Sequence, residues 1–151
     1  MPENIRKSVP AKQKQMHYQT TNQIGGLRLE YDPKVFTLWP ATDTTFVSKR
    51  GDYQARIWLG APRVAYPFHQ EANRILASNR LPTLVSLGPR FGLVWSAQNR
   101  AGGKVVYHFA EEDNLHLRCE STYTLHTNLQ DVERGCEEVT ALLSTATFWA
   151  A

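Results

Sequence analysis

Residues 91–124 read FGLVWSAQNRAGGKVVYHFAEEDNLHLRCESTYT, and the spacing of their apolar side chains decides the fold class. Phe91, Leu93 and Trp95 recur at every second position, as do Val105, Tyr107 and Phe109, and then Leu115, Leu117 and Cys119. A period of two is what a strand with one buried face requires, so the stretch predicts three consecutive antiparallel strands. Ala101-Gly102-Gly103 supplies residues that tolerate positive φ at the first turn, and Glu111-Glu112-Asp113-Asn114 is polar enough to be the second. A three-residue loop at 112–114 would set Glu111 opposite Leu115, Phe109 opposite Leu117 and Tyr107 opposite Cys119. That register gathers both apolar rows on one face and turns His108 toward Arg118, and Val106 toward Glu120, on the other.

Outward from this meander, the chain supplies more strands. Leu27, Leu29 and Tyr31 alternate with Arg28 and Glu30 and stop at Asp32-Pro33. Short apolar runs follow at 35–39 and 44–48, then an alternating run from Tyr53 to Leu59 that ends at Gly60-Ala61-Pro62. The period then changes. Phe68, Ala72, Ile75, Leu76 and Asn79 fall at helical spacing, between a Pro67 suited to a first turn and a Pro82 that forbids continuation. A short strand at 83–87 precedes the meander. After it, Leu129, Val132, Cys136, Val139 and Leu143 form the stripe of a closing helix, with Asn128 as N-cap and Asp131 in the first turn. Gly135 costs that helix about 1 kcal/mol relative to Ala, which close approach to the sheet would explain. The run Ala146 to Trp149 would pin Phe148 or Trp149 into the edge of the core.

These elements predict an α+β domain over 25–151, an antiparallel sheet covered by two main helices. Residues 1–24 would be a polar, basic tail; Arg6, Lys7, Lys12 and Lys14 face one acid, Glu3, in its first fifteen positions. The opening strand pair from Gly25 to Pro40, the Pro67 helix before the meander and the closing helix from Val132 to Phe148 are together similar to the PsbP-like fold. That resemblance implies an α/β/α sandwich of the kind found in small bacterial envelope proteins. Several bacterial immunity proteins are similar in size and general make-up, and no site residues carry over from either group.

The 151 residues suffice for one domain with a real core, and 42% of them are apolar. Net charge is +3 and nearly balanced beyond the tail, so no broad basic field offers itself to nucleic acid. No apolar run reaches the roughly 18 to 20 residues of a membrane span. The opening residues lack a signal-peptide core. The chain is therefore either cytosolic or an envelope protein whose export signal has been removed, with residues 2–24 as a spacer.

Chemistry-bearing patterns are sparse. Neither HxxxH nor CxxC is present, the 111–114 loop lacks the spacing and Gly of a calcium loop, and no GxSxG, phosphate loop or SxxK occurs. The residues therefore imply no metal, no cofactor and no enzyme. Cys119 and Cys136 point inward from the sheet and the last helix. They are either a disulfide clamping one to the other, contributing about 3 kcal/mol through the unfolded chain, or two free core thiols. Surface recognition is what remains. Trp39, Arg56, Trp58, Arg90, Arg100, His108 and Arg118 are the candidate contact residues, since Trp and Arg dominate interface hot spots. An outward Trp58 could equally lie beneath the Pro67 helix. The expected role is a non-catalytic module that binds another protein, most specifically an immunity protein occluding a toxin. The alternatives are a small-ligand carrier or enzyme with a pocket lined by Tyr107, Trp95 and His108, and a cytosolic adaptor with a basic tail.

Overall fold

The computed structural model describes residues 15–39, 44–60, 83–98, 100–112 and 115–150. Within them the chain forms ten strands and one helix. The strands are β1 (Met16–Thr21), β2 (Gly25–Tyr31), β3 (Phe36–Trp39), β4 (Thr44–Ser48), β5 (Tyr53–Gly60), β6 (Thr83–Leu87), β7 (Arg90–Gln98), β8 (Lys104–Glu112), β9 (Leu115–Tyr123) and β10 (Thr147–Ala150). The helix α1 runs Leu129–Ser144. Two antiparallel sheets result, one of three strands in the order β1-β2-β10 and one of seven in the order β3-β4-β5-β9-β8-β7-β6.

This corrects the expected α+β sandwich with two main helices: the described residues are mostly β, and a single helix packs on them. The helix expected at 67–81 falls outside the described residues. The second layer on the large sheet is instead α1 together with the small sheet. Residues 16–21, read from the sequence as part of a polar tail, form β1 and pair with β2 from Met16↔Tyr31 to Thr21↔Gly26. Their alternation is too weakly apolar to announce a strand, because only Tyr18 and Thr20 turn partly inward. Tyr18 meets Phe46 edge-on at 5.9 Å and shares a 2.6 Å hydrogen bond with the Thr44 hydroxyl.

The core lies between the two layers. Leu27, Leu29 and Tyr31 of β2 pack with Phe36, Phe46, Ile57, Leu117 and Cys119 of the large sheet and with Val132, Val139, Leu142 and Leu143 of α1. The helix begins as its sequence dictates, with Asn128 Oδ1 accepting from the Asp131 N–H at 2.8 Å. Gly135 marks its closest approach to the sheet. A Cβ there would lie 2.9 Å from Tyr53 Cε1 and closer still to the Tyr123 hydroxyl. At the far end, Phe148 and Trp149 sit half-buried in β10, which pairs with β2.

The meander has the expected strands but a different register. Glu112 pairs with Leu115, so Ala110 faces Leu117, His108 faces Cys119, Val106 faces Ser121 and Tyr107 faces Glu120. Only Asp113 and Asn114 separate the strands. The one-residue slip sends the two apolar rows to opposite faces, which a sheet with one wet face would not tolerate. This sheet tolerates it because the face away from α1 is buried in part as well. Leu93, Trp95 and Phe109 form a second cluster, with Tyr107 packed against it, on the side turned away from α1.

Candidate functional site

The register places the candidate residues in two separate environments. On the face toward α1, His108 is fully buried. Its Nε2 shares a 2.9 Å hydrogen bond with the Thr140 hydroxyl and lies 3.9 Å from Cys136 Sγ, while Nδ1 is buried with no partner among the described residues. Burial lowers its pKa to about 4, so the imidazole is neutral at pH 7. His108 is thus an interior residue, and the expected outward pairing with Arg118 does not occur.

Cys119 and Cys136 are free thiols, which corrects the disulfide reading. Both do point into the core layer, but Cys136 sits over His108 on β8, one strand away from Cys119 on β9. Burial pushes the Cys119 thiol up to about 12 and raises Cys136 as well, the opposite of what a nucleophile needs. Arg90 is interior too. Its Nη2 donates to Glu112 Oε2 at 3.0 Å, and its guanidinium lies 4.6 Å from the Phe148 ring, tying the large sheet to β10. Arg100 is exposed in the turn between β7 and β8.

The remaining candidates meet on the other face of the large sheet. Trp58 and Arg118 are cross-strand partners, as are Arg56 and Glu120, and the next strand adds Phe109 opposite Arg118 and Tyr107 opposite Glu120. The side chains stack into one run. The Arg56 guanidinium lies 4.8 Å from the Trp58 ring, Arg118 lies 6.0 Å from that ring and 5.4 Å from Tyr107, and Tyr107 stacks on Trp95 with centroids 5.1 Å apart. Such contacts contribute on the order of 0.5–1 kcal/mol each when exposed and more when dry. The Trp95 indole N–H is buried without a partner among the described residues. Through Thr45, the row of Arg56 continues to Trp39, which is 51% exposed on β3. Leu84 and Phe91, also exposed, lie on this same face at its β6–β7 flank.

Sequence reasoning thus found Trp39, Arg56, Trp58 and Arg118 and missed Tyr107, Trp95, Leu84 and Phe91 as members of the face. Phe91 and Trp95 belong to the row that the sequence reads as inward, Tyr107 is turned outward by the one-residue register shift, and Leu84 lies on a flank that only the strand order reveals. Beside this run, His116 is buried against Glu111, with Nε2 to Oε2 at 3.2 Å, and meets Phe109 edge-on at 5.3 Å.

No group of three His, Cys, Asp or Glu among the described residues is placed to hold a metal ion. Nor do Tyr107, Trp95 and His108 line a common pocket, since the first two face away from α1 and the third faces it. None of the described helices is long and apolar enough to cross a membrane.

No protein-family model matches the chain, and no curated protein matches it in sequence. Among solved structures, a protein from Bacteroides thetaiotaomicron VPI-5482 is similar over 80% of this chain, with a TM-score of 0.55 and 14% identity. The chain spans 44% of that protein's length, and at this identity the likeness is one of fold alone.

Proposed function

We propose that the protein is a non-catalytic binding module that engages another protein through the face of the seven-stranded sheet turned away from α1. The observation that carries it is the half-buried run Arg56–Trp58–Arg118–Tyr107, braced on buried Trp95 and flanked on the same face by exposed Trp39. Arg and Trp combine large contact area with directed hydrogen bonding. Rigid strands and mutual stacking order these side chains before a partner arrives, so less entropy is lost on binding. In its most specific form the module is an immunity protein of the bacterial envelope, acting by covering a toxin's cleft rather than by turnover.

The test is co-production with the protein encoded by the adjacent gene, scored by complex formation on size exclusion and by rescue of growth. Trp39→Ala and Arg118→Ala, each checked for a native circular dichroism spectrum, should weaken the complex about thirtyfold, the cost of losing a hot-spot side chain. Trp58→Ala should act in the same direction. Absence of a complex, or a complex indifferent to all three changes, would refute the reading.

A further inference from the structure

The apolar stripe of α1 does not stay in the core along its whole length. Val139 and Leu143 are fully buried, yet Leu129 at the start of the same stripe is 64% exposed and Cys136 is only half-buried. Between this first half of the helix and β8 lies an open groove of about 230 Å³, with Leu129, Val132, Cys136 and Val106 among its walls. Its rim carries opposite charges from opposite sides, Lys104 from the strand and Glu133 from the helix. Neither forms an ion pair with any described residue. An amphipathic stripe that stays exposed at one end, beside two charges of opposite sign that no described residue pairs, is built to receive something amphipathic of matching pattern.

We infer that this groove docks a segment of a partner protein in which one large apolar side chain is flanked by an acidic residue and a basic residue. The apolar side chain replaces water against Leu129, Val132 and Val106. The acid meets Lys104 and the base meets Glu133, which sets the direction of the segment. The groove lies on the α1 side of the large sheet and shares only Trp95 with the Trp58 run, so it is a second surface with its own test.

The test uses a model peptide, acetyl-Asp-Phe-Lys-amide, titrated into ¹⁵N-labelled full-length protein and followed by amide chemical shifts. Saturable shifts confined to residues 104–106 and 129–136 are expected. Acetyl-Asp-Ala-Lys-amide should bind about tenfold more weakly, the worth of burying one large apolar side chain. Leu129→Asp, at an exposed position, should weaken the Phe peptide to a similar degree. Equal binding of the Ala peptide, or shifts elsewhere only, would overturn the inference. So would the same amides shifting with protein concentration when no peptide is present, because a second copy of the chain would then be the occupant. The comparison of the two peptides decides the matter even if Leu129→Asp proves unstable.

Discussion

His108 shows how one buried residue sets a pH dependence. It faces Cys119 on β9 and Val94 on β7 across the strands, and Thr140 and Cys136 on α1, so no charged group from these elements compensates an imidazolium. Its pKa falls from the ordinary 6.5 to about 4 on folding. The unfolded chain therefore takes up the proton first. Stability is fully present above about pH 6.5 and declines as the pH falls toward 4, by about 3 kcal/mol in all. Urea midpoints measured between pH 7 and 4 should follow that slope, and His108→Leu should flatten it while lowering stability at pH 7 by stranding the Thr140 hydroxyl. Gly135 gives a second residue-scale expectation. Ala there would gain about 1 kcal/mol of helix propensity, but its Cβ collides with Tyr53 and Tyr123. Overpacking costs about 1–3 kcal/mol, so Gly135→Ala should lower the thermal midpoint rather than raise it.

At the scale of elements, β2 to β9 and α1 are legible because each is a local pattern, whereas β1 is too polar and β10 too short to show an alternation. The 44–48 run, the Gly60 stop, the Asn128 cap and the 3-4-3-4 stripe are all written in neighbouring residues. The register of β8 on β9 was not. It depends on whether the face away from α1 is wet or buried, and nothing in residues 104–123 says which. Sheet order was equally hidden: β5 pairs with β9, Tyr53↔Tyr123, across seventy residues of sequence. The candidate face suffered in turn, since Arg56 and Arg118 were found from their types and phases, but their shared stacking on Trp58 is a product of that pairing. What holds α1 on the sheet can be tested directly. Arg50 donates to both oxygens of Glu138 at 2.7 and 2.8 Å, and the Tyr53 hydroxyl donates to Oε1 at 2.8 Å. Burial alone would raise the Glu138 carboxyl, but the bonds from Arg50 and Tyr53 outweigh it and hold the carboxyl below the usual carboxylate range. A double-mutant cycle of Arg50→Ala and Glu138→Gln should give a coupling of about 1 kcal/mol, reduced for partial exposure, and Tyr53→Phe should lose a further fraction.

For the molecule as a whole, the question is what joins its two layers. The small sheet and α1 rest on the large sheet through aromatic and aliphatic contacts, the Arg90–Phe148 stack and the Glu138 staple, with no covalent link among the described residues. A cystine would have made the fold sensitive to its compartment. With free thiols it has no such dependence, and cysteine usage carries no information about where the protein works. The thermal midpoint should accordingly be the same with and without reductant. Cys119, fully buried and with its pKa pushed up to about 12, should resist maleimide in the native state. Cys136, half-buried beside the groove of α1, should react slowly, and both should react at once in denaturant. Mass spectrometry of the labelled protein separates these outcomes. A reductant-sensitive midpoint would mean that the two thiols are bonded, and native labelling of Cys119 before Cys136 would mean that Cys119 is not covered by α1; either result would show the packing described above to be wrong.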